Sequence, residues 1–391
     1  MHKLTRLVSM TSKSSSGISI ASSPSCMEAR AAATSAFING NNLVNGQIQI
    51  KDSTKRVGLE QFIKHKKPLS NRTILVSING TLGNVATYRG EKVILGKSAC
   101  YLNVSENVSK DFIQFKVMAP DFQSYLQNQA TGTTIKNVSL KQMREYTFLL
   151  PPLDVQKSIA AILLALNDKI ELNQKINDNL QQQAFTLFDR FLSVEHSSKC
   201  PLSQIAIINP KRILKKGKYA RYIDMAQLST SGSFPNGWEI KPYNGGMRFS
   251  NGDTLLARIT PCLENGKTAY IDFLGENEVA FGSTEYVVIS SRGEYPPEFF
   301  YCLARCPSFV DYAVKNMNGS SGRQRVSAEA IGNYVLPMLS DDELSEFRST
   351  VPCLFRAMRN NSIENMSLAQ LRDALLPKLM SGEIDVSDIR F

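Results

Sequence analysis

The sequence predicts an α+β protein in which two repeated mixed domains are separated by two long helices that pair as an antiparallel coiled coil. Three observations support this prediction. Blocks of sequence recur in the same order in the two halves, a heptad-like segment follows each copy, and both heptad segments carry two central asparagines. We expect the mixed domains at residues 1–150 and 196–340, and the helical segments at 151–195 and 341–391.

Length and composition limit the possible classes of protein. A chain of 391 residues is longer than a single hydrophobic core usually supports, and this length indicates more than one domain. The net charge of +10 suits a polyanionic partner, most often nucleic acid, although many soluble proteins are basic without one. No apolar run reaches the roughly 18 residues that span a bilayer, and the N-terminus lacks the apolar stretch of a secretion signal. We therefore expect a cytoplasmic protein with no membrane association.

The internal repeat extends over most of each copy. The paired blocks are AFINGNNLVNGQI (Ala36–Ile48) with RYIDMAQLSTSGSF (Arg221–Phe234), ILVSINGTLGNVATY (Ile74–Tyr88) with LLARITPCLENGKTAY (Leu255–Tyr270), ILGKSACYLNV (Ile94–Val104) with AFGSTEYVVIS (Ala280–Ser290), DFIQFKVMAPDFQSYL (Asp111–Leu126) with EFFYCLARCPSFVDYA (Glu298–Ala313), and NQATGTTIKNVS (Asn128–Ser139) with KNMNGSSGRQRVS (Lys315–Ser327). Their common order excludes chance similarity and indicates two copies of one module.

Each copy mixes strand and helix patterns. Short β-branched or apolar runs such as TILVSI and TLLARI, bounded by polar residues and glycine, predict strands. The segments around Pro120 and Pro307 have apolar residues at helical spacing, and each proline predicts a helix, a break and a second helix.

Two long segments follow the alternating steps of four and three that characterise a coiled-coil seam. The first seam comprises Ile159, Leu163, Leu166, Ile170, Asn173, Asn177, Leu180, Ala184, Leu187 and Phe191; the second comprises Leu344, Phe347, Val351, Leu354, Met358, Asn361, Asn365, Leu368, Arg372, Leu375 and Leu379. Within the second helix, Pro352 predicts a bend and Pro377 a bend or an end, with Gly382 as the stop.

The central asparagines predict how the helices pair. A buried asparagine is unfavourable unless it finds a partner, so it fixes register. Asn173 and Asn177 can meet Asn361 and Asn365 in either direction, and we favour the antiparallel one. The alternative is that these side chains are exposed and each helix packs on its own domain. About 33 residues of helix extend for roughly 50 Å, somewhat more than one turn of B-DNA, so such helices can set a spacing along a duplex.

Cationic and amide side chains in loops have the chemistry that contacts phosphates and base edges. The candidates for DNA binding are Lys136, Asn137, Asn79, Thr81, Lys64 and Lys66 in the first copy, and Arg323, Gln324, Arg325, Lys267, Lys211 and Arg212 in the second. We favour Arg323 and Arg325 most. The alternatives are a solvated charged face for the Lys64 and Lys211 clusters and a structural turn for the glycine-containing loops.

The sequence offers little for catalysis. It contains three histidines, no phosphate-binding loop with the Gly-x-x-x-x-Gly-Lys pattern, and no nucleophile elbow. The motif of amino-methyltransferases, Asn- or Asp-Pro-Pro-aromatic, is matched only by the incomplete Asn209-Pro210-Lys211. The seven scattered cysteines lack the spacing of a zinc site. We therefore expect a non-catalytic protein without a bound metal.

The helical segments resemble those of one known family. LLPPLDVQKSIAAILLALNDKIELNQKINDNLQQQAFTLFDRFL (Leu149–Leu192) and LRDALLPKLMSGEIDV (Leu371–Val386) are similar to the central and C-terminal conserved regions of the specificity (S) subunits of type I restriction-modification enzymes. LARITPCLENGKTA (Leu256–Ala269) resembles a sequence segment found in many of their target-recognition domains. The resemblance covers about residues 37–386.

The resemblance implies a non-catalytic subunit whose two target-recognition domains each read one half of a bipartite site on double-stranded DNA. It implies that the helices dock methyltransferase (M) subunits, two of them by our expectation, and that restriction (R) subunits can join. The family places S-adenosylmethionine, ATP and Mg²⁺ on those partner subunits, so we expect no cofactor on this chain.

Residues 1–36 depart from the family pattern. The segment is rich in serine and alanine and lacks the strand-forming character expected at the start of a recognition domain. Two alternatives follow. The chain is a helical interaction scaffold, or it is the recognition arm of another restriction system that has lost one half-site reader.

Overall fold

The computed structural model describes residues 3–6, 11–16, 33–44, 46–196, 198–320 and 322–387. The chain forms two compact units: Met1–Asn167 with Gln370–Phe391, and Asp168–Ala369. Each unit contains one copy of the repeat together with part of each predicted helical segment. The helical segments are therefore divided between the units.

The elements of the first copy precede the first long helix. The strands are β1 Lys3–Arg6, β2 Thr11–Ser16, β3 Ala33–Ile38, β4 Leu43–Val44, β5 Gln47–Ile48, β6 Arg56–Gly58, β7 Thr73–Ser77, β8 Val85–Thr87, β9 Val93–Leu95, β10 Ala99–Val104 and β11 Thr147–Leu150. The helices are α1 Leu59–His65, α2 Lys110–Met118, α3 Pro120–Gln129 and α4 Leu140–Glu145, followed by the long helix α5 Leu153–Ser193.

The elements of the second copy precede the second long helix. The strands are β12 Lys199–Pro201, β13 Ala206–Ile208, β14 Tyr219–Ile223, β15 Glu239–Pro242, β16 Met247–Phe249, β17 Thr254–Ala257, β18 Thr268–Tyr270, β19 Ala280–Gly282, β20 Tyr286–Ser291, β21 Met317–Asn318, β22 Arg325–Val326 and β23 Val335–Pro337. The helices are α6 Leu202–Ile205, α7 Pro297–Arg305, α8 Pro307–Lys315 and α9 Ala328–Gly332, followed by α10 Asp341–Ser381.

The two copies share their sheet topology. The main sheet has the order β2-β10-β7-β8 in the first copy and β13-β20-β17-β18 in the second. A second sheet has the order β6-β3-β9 in the first copy and β15-β14-β19-β16 in the second, with one parallel pair in each, β3-β9 and β14-β19. The sequence repeat is therefore a repeat of structure. The fourth strand, β16, distinguishes the second copy.

The prediction that residues 1–36 lack strand character is wrong for Lys3–Arg6 and Thr11–Ser16, and also for the residues that begin β3, Ala33–Ile38. The first segment pairs with β11 and the second with β10, both antiparallel. An edge of β10 supplies backbone groups that need partners, and this demand outweighs the weak strand propensity of a serine-rich segment. The rest of the atypical stretch, 1–2, 7–10 and 17–32, lies outside the described residues.

The prolines divide the helical pairs as predicted. α2 ends at Met118 and α3 begins with Pro120, while α7 ends at Arg305 and α8 begins with Pro307. Proline is favourable at the first helical position because the missing N–H has no intrahelical partner there. The paired helices bury Phe112 and Phe122 in one copy and Phe299 and Phe309 in the other.

The two long helices pack together in the antiparallel direction. Asn173 Nδ2 donates to Asn365 Oδ1 at 2.9 Å, and Asn361 Nδ2 donates to Asn177 Oδ1 at 2.8 Å. Asn173 is 1% exposed and also donates to the Glu364 carboxylate at 2.7 Å. The side-chain oxygens of Asn365 and Asn177 thus find donors across the seam and hold its register, whereas the Asn173 side-chain oxygen is buried without a partner among the described residues.

Helix α10 passes through both of its prolines. Pro352 and Pro377 lie inside the continuous helix, which ends at Ser381. The predicted stop is in place, because Gly382 adopts a φ of +79° that glycine tolerates best.

A buried ion pair anchors the segment that precedes β14. Arg212 donates to both carboxylate oxygens of Asp253, at 2.9 and 2.6 Å, and Asp253 is 0% exposed. The backbone N–H of Ser250 donates to the same carboxylate. A buried carboxylate needs such partners to offset its desolvation.

We expect Asn173→Leu to lower the free energy of unfolding by about 1 kcal/mol, because the Asn365 oxygen loses its donor. Replacing Asn365 by leucine as well should cost less than the sum of the single changes. Urea titration followed by circular dichroism measures both effects. Asn179→Leu, exposed on the same helix, is the control. Unchanged stability in both Asn173→Leu and Asn361→Leu would rule out the seam role.

Arg212→Met should destabilise the second unit by about 3 kcal/mol, because it leaves the Asp253 carboxylate buried without its ion-pair partner. The neighbouring Lys211 is exposed, and Lys211→Met should leave stability unaltered. Thermal unfolding of the two variants under identical conditions gives the comparison. Equal melting temperatures would contradict the anchoring role of Arg212.

Candidate nucleic-acid interface

Two loops meet at one corner of the first copy. The strand-exit loop (78–84) follows β7, and the glycine loop (131–137) precedes α4. The Gly80 N–H donates to the Lys136 carbonyl at 2.9 Å, and the Val138 N–H donates to the Ile78 carbonyl at 2.9 Å. These backbone bonds hold together two loops that are separated by about fifty residues in the chain.

The second copy has the same corner. Its strand-exit loop (258–267) follows β17, and its glycine loop (319–325) precedes α9. The Thr260 N–H donates to the Gln324 carbonyl at 3.1 Å, and the Val326 N–H donates to the Arg258 carbonyl at 2.9 Å. Gly80 is therefore equivalent to Thr260. By the same hydrogen bonds, Lys136 is equivalent to Gln324, and Asn137 is equivalent to Arg325.

The Val-Ser pair that ends each glycine loop has a structural role. Val138 and Val326 are completely buried. Ser139 accepts a hydrogen bond from the Gln142 N–H and begins α4, and Ser327 accepts one from the Ala330 N–H and begins α9. The valine anchors the loop and the serine caps the helix that follows. In the loop before this pair, glycines such as Gly132 (φ +97°) and Gly319 (φ +127°) have backbone conformations that favour glycine, and the other positions carry different side chains in the two copies.

In the first copy, four candidate residues come together. Asn79 and Asn137 lie opposite each other in an isolated antiparallel bridge, and the Asn79 amide donates to the Asn137 side-chain oxygen at 3.3 Å. Thr81 and Lys136 are exposed, and Lys136 Nζ donates to Gln127 Oε1 at 3.1 Å. The corner of the first copy thus presents mainly amide and hydroxyl groups.

In the second copy, the same corner carries an ion-pair network. Arg325 donates through Nε and Nη2 to the Glu285 carboxylate, with distances of 2.7–3.0 Å. Arg258 Nε lies 3.9 Å from the same carboxylate. The bonds from Arg325 hold the pKa of Glu285 below its usual range, and Glu285 in turn raises the pKa of Arg325. A ligand that binds Arg325 therefore has to compete with the Glu285 carboxylate.

The remaining candidate residues of the second corner differ in how accessible their side chains are to a ligand. Arg323 is exposed and makes no side-chain hydrogen bond or ion pair with the described residues. Gln324 is half-buried, and its backbone carbonyl bonds to the strand-exit loop. Lys267 Nζ donates to the Met225 carbonyl at 2.8 Å. Arg323 is thus the cation that the corner presents most freely.

Four predicted residues lie on other elements. Lys64 is in the last turn of α1 and Lys66 follows it, and both are exposed. Lys211 is exposed ahead of β14, and Arg212 is held by Asp253 as described above. The structure therefore joins the loop residues to one another within each copy but leaves these two basic clusters on separate elements.

Sequence reasoning missed Glu285, which holds Arg325 in place. Glu285 stands immediately before β20, and Ser98 stands at the equivalent position before β10. An acidic residue in the copy whose loop carries arginines was a usable signal, but the partner is 40 residues away in the chain. Among the described residues, no group of three or more potential metal ligands occurs, and no helix is long and apolar enough to cross a membrane.

Comparisons with known proteins point to one family. The family described as "Type I restriction modification DNA specificity domain" matches residues 29–182. The specificity subunit of the HindI type I restriction enzyme of Haemophilus influenzae is 22% identical over 356 residues, in a match that covers 71% of this chain and 76% of that protein. The MjaIX specificity subunit of Methanocaldococcus jannaschii is 23% identical over 353 residues, in a match that covers 81% of this chain and 78% of that protein.

The fold has a solved counterpart. The crystal structure of the S subunit of a type I restriction-modification system from M. genitalium superposes with a TM-score of 0.52 at 19% sequence identity, covering 97% of this chain and 96% of that one. At this identity the likeness concerns the fold. In sequence, residues 29–182 match the type I restriction modification DNA specificity domain, and the chain as a whole is similar to type I restriction-modification specificity subunits.

Proposed function

We propose that the chain is the non-catalytic subunit that selects the DNA sequence for a type I restriction-modification complex, and that each copy reads one half of a bipartite site. One observation carries the proposal. The two copies build the same loop-on-loop corner from the same backbone bonds but place different side chains on it. A shared frame with different polar groups is what two readers of different half-sites require.

The side chains at equivalent positions of the two corners support the proposal that each copy reads a different half-site. Asn79 and Asn137 give the first corner amide groups, which pair with adenine edges. Arg323 and Arg325 give the second corner guanidinium groups, which suit guanine edges and phosphates. The net charge of +10 favours association with a polyanion.

The paired helices are the proposed docking site for methyltransferase subunits, two per complex, with restriction subunits as further members. Leu172 and Ile176 are 53% and 41% exposed on successive turns of α5, and Ile363 on α10 is 39% exposed. Exposed apolar residues at helical spacing are typical of an interface. S-adenosylmethionine, ATP and Mg²⁺ would then bind to the partner subunits, and this chain would carry no cofactor.

A methylation map tests the proposal. The chain is expressed with its methyltransferase subunit in a host without DNA methylation, and N6-methyladenine is mapped by single-molecule sequencing. We expect a bipartite motif with a fixed spacer, because two readers are joined by helices of fixed length. A one-sided motif would mean that one copy reads alone. A soluble complex that produces no motif would support the interaction scaffold instead.

Exchanging both Arg323 and Arg325 for alanine should weaken DNA binding by the assembled enzyme and lower the slope of log affinity against log salt by about one per lost phosphate contact. Arg323→Ala alone should account for most of the loss, because Arg325 is held by Glu285. Fluorescence anisotropy at several salt concentrations measures the slope. An unaltered affinity and slope would exclude the second corner from the interface.

A further inference from the structure

The second sheet of each copy has one face in the core and one face turned away from it. In the second copy, Ile223, Phe249 and Ala280 belong to a buried cluster on the core face. Because side chains alternate along a strand, their neighbours Tyr222, Arg248 and Phe281 lie on the opposite face. We call this opposite side of β15-β14-β19-β16 the outer face.

The first copy covers its outer face with a helix. α1 packs against β3, β6 and β9. Ile94 lies on this face, because its neighbours Val93 and Leu95 point into the core cluster, and it is 1% exposed. Its equivalent in the second copy is Phe281, which is 4% exposed because Tyr222 and Tyr243 pack on its ring. The helix follows β6 and leads into β7.

The second copy replaces this helix with a strand. Between β15 and β17 the chain forms β16, which pairs with β19 and extends the sheet. Gly246 permits this path: its φ is +103°, and a Cβ there would lie 2.0 Å from the Gly282 carbonyl oxygen. In the described part of the second copy, the outer face therefore has no helix over it.

Aromatic rings and cations occupy the uncovered face. The rings of Tyr222 and Tyr243 pack on Phe281, with centroids 5.1 and 5.2 Å away. Lys241 Nζ lies 4.6 Å from the centre of the Tyr222 ring, and the Arg248 guanidinium lies 5.9 Å from that of Tyr243. Both cations are half-buried and retain access to solvent.

The loop before β14 extends the positive charge. Tyr243 exchanges backbone hydrogen bonds with this loop: the Gly217 N–H donates to the Tyr243 carbonyl, and the Tyr243 N–H donates to the Lys218 carbonyl. Lys215, Lys216 and Lys218 are exposed beside this contact. Two carboxylates lie here: Glu239 pairs with Lys241 at 2.8 Å, so that a phosphate has to compete with it for this lysine, and Asp224 accepts from the Tyr222 hydroxyl at 3.1 Å.

We propose that the outer face of the second copy is an additional DNA-contact surface, separate from the loop corner, in which Lys241, Arg248 and the adjoining lysines bind phosphates beside an aromatic platform. Cations interleaved with aromatic rings are the chemistry that contacts nucleic acid. The excess of cations over carboxylates favours a polyanion over a neutral protein surface. The proposal rests on the proposed DNA-reading function and gives the second half-site a wider footprint than the first.

Lys241→Gln combined with Arg248→Gln tests the surface in the complex of this chain with its methyltransferase subunit. The probe is a duplex that contains the methylated motif found for the unaltered complex. We expect affinity to fall by about tenfold for each lost charged contact. The slope of log affinity against log salt should fall by about two. Anisotropy titrations from low to moderate salt give both quantities.

Lys199→Gln combined with Lys315→Gln removes the same charge from exposed positions of the same copy and is the matched control. Both double variants should keep the melting temperature and co-purify with the methyltransferase subunit. An unaltered slope in Lys241→Gln with Arg248→Gln, or an equal decrease in the control, would overturn the proposal. Loss of the methyltransferase subunit instead would identify the face as a protein interface and would also overturn it. If the unaltered complex methylates no specific motif, the proposed function itself fails.

Discussion

The antiparallel pairing of α5 and α10 is the constraint on which the two cores depend. The first core includes Ile159 and Leu163 from the beginning of α5 together with Leu376 and Leu379 from the end of α10. The second core includes residues from the end of α5 and the beginning of α10, among them Phe188, Phe191, Phe347 and Phe355. A parallel pairing would bring together the wrong ends and complete neither core. The asparagine pairs favour the correct register because it gives the side-chain oxygens of Asn177 and Asn365 a donor across the seam.

Comparison of the two copies distinguishes the residues that hold the loop corner together from the residues whose side chains differ on its surface. Val138 and Val326 are buried, and the serines that follow them cap helices, so these positions must recur in both copies. Apart from glycines with positive φ such as Gly132 and Gly319, the loop residues before them contribute backbone bonds that do not depend on the side chain. Different chemistry can therefore be placed at the other positions of one frame, which is the property that a sequence-reading module needs.

Ion pairing divides the cations of this basic chain into two classes. Arg212 and Arg325 are bound to Asp253 and Glu285, and Asp253 is completely buried. Such arginines hold segments in place, and an incoming phosphate has to compete with a carboxylate for them. Arg323 and Lys211 are exposed, and no carboxylate of the described part of the chain pairs with them. Net charge therefore predicts the class of partner better than it predicts the contacting residues.

Most of the architecture follows from the sequence by itself. Helical periodicity and proline breaks are visible within one segment, and the ordered repeat is visible when the two halves of the sequence are compared. They yielded the two copies, the divided helices at Pro120 and Pro307, and the seam of asparagines. Only the tertiary structure decided three other features: the strand at Thr11–Ser16, the pairing of Arg325 with Glu285, and the exchange of α1 for β16 that opens the outer face. Each of these arises from partners far apart in the chain, and local residue patterns do not specify which distant backbone edge or charge a segment will meet.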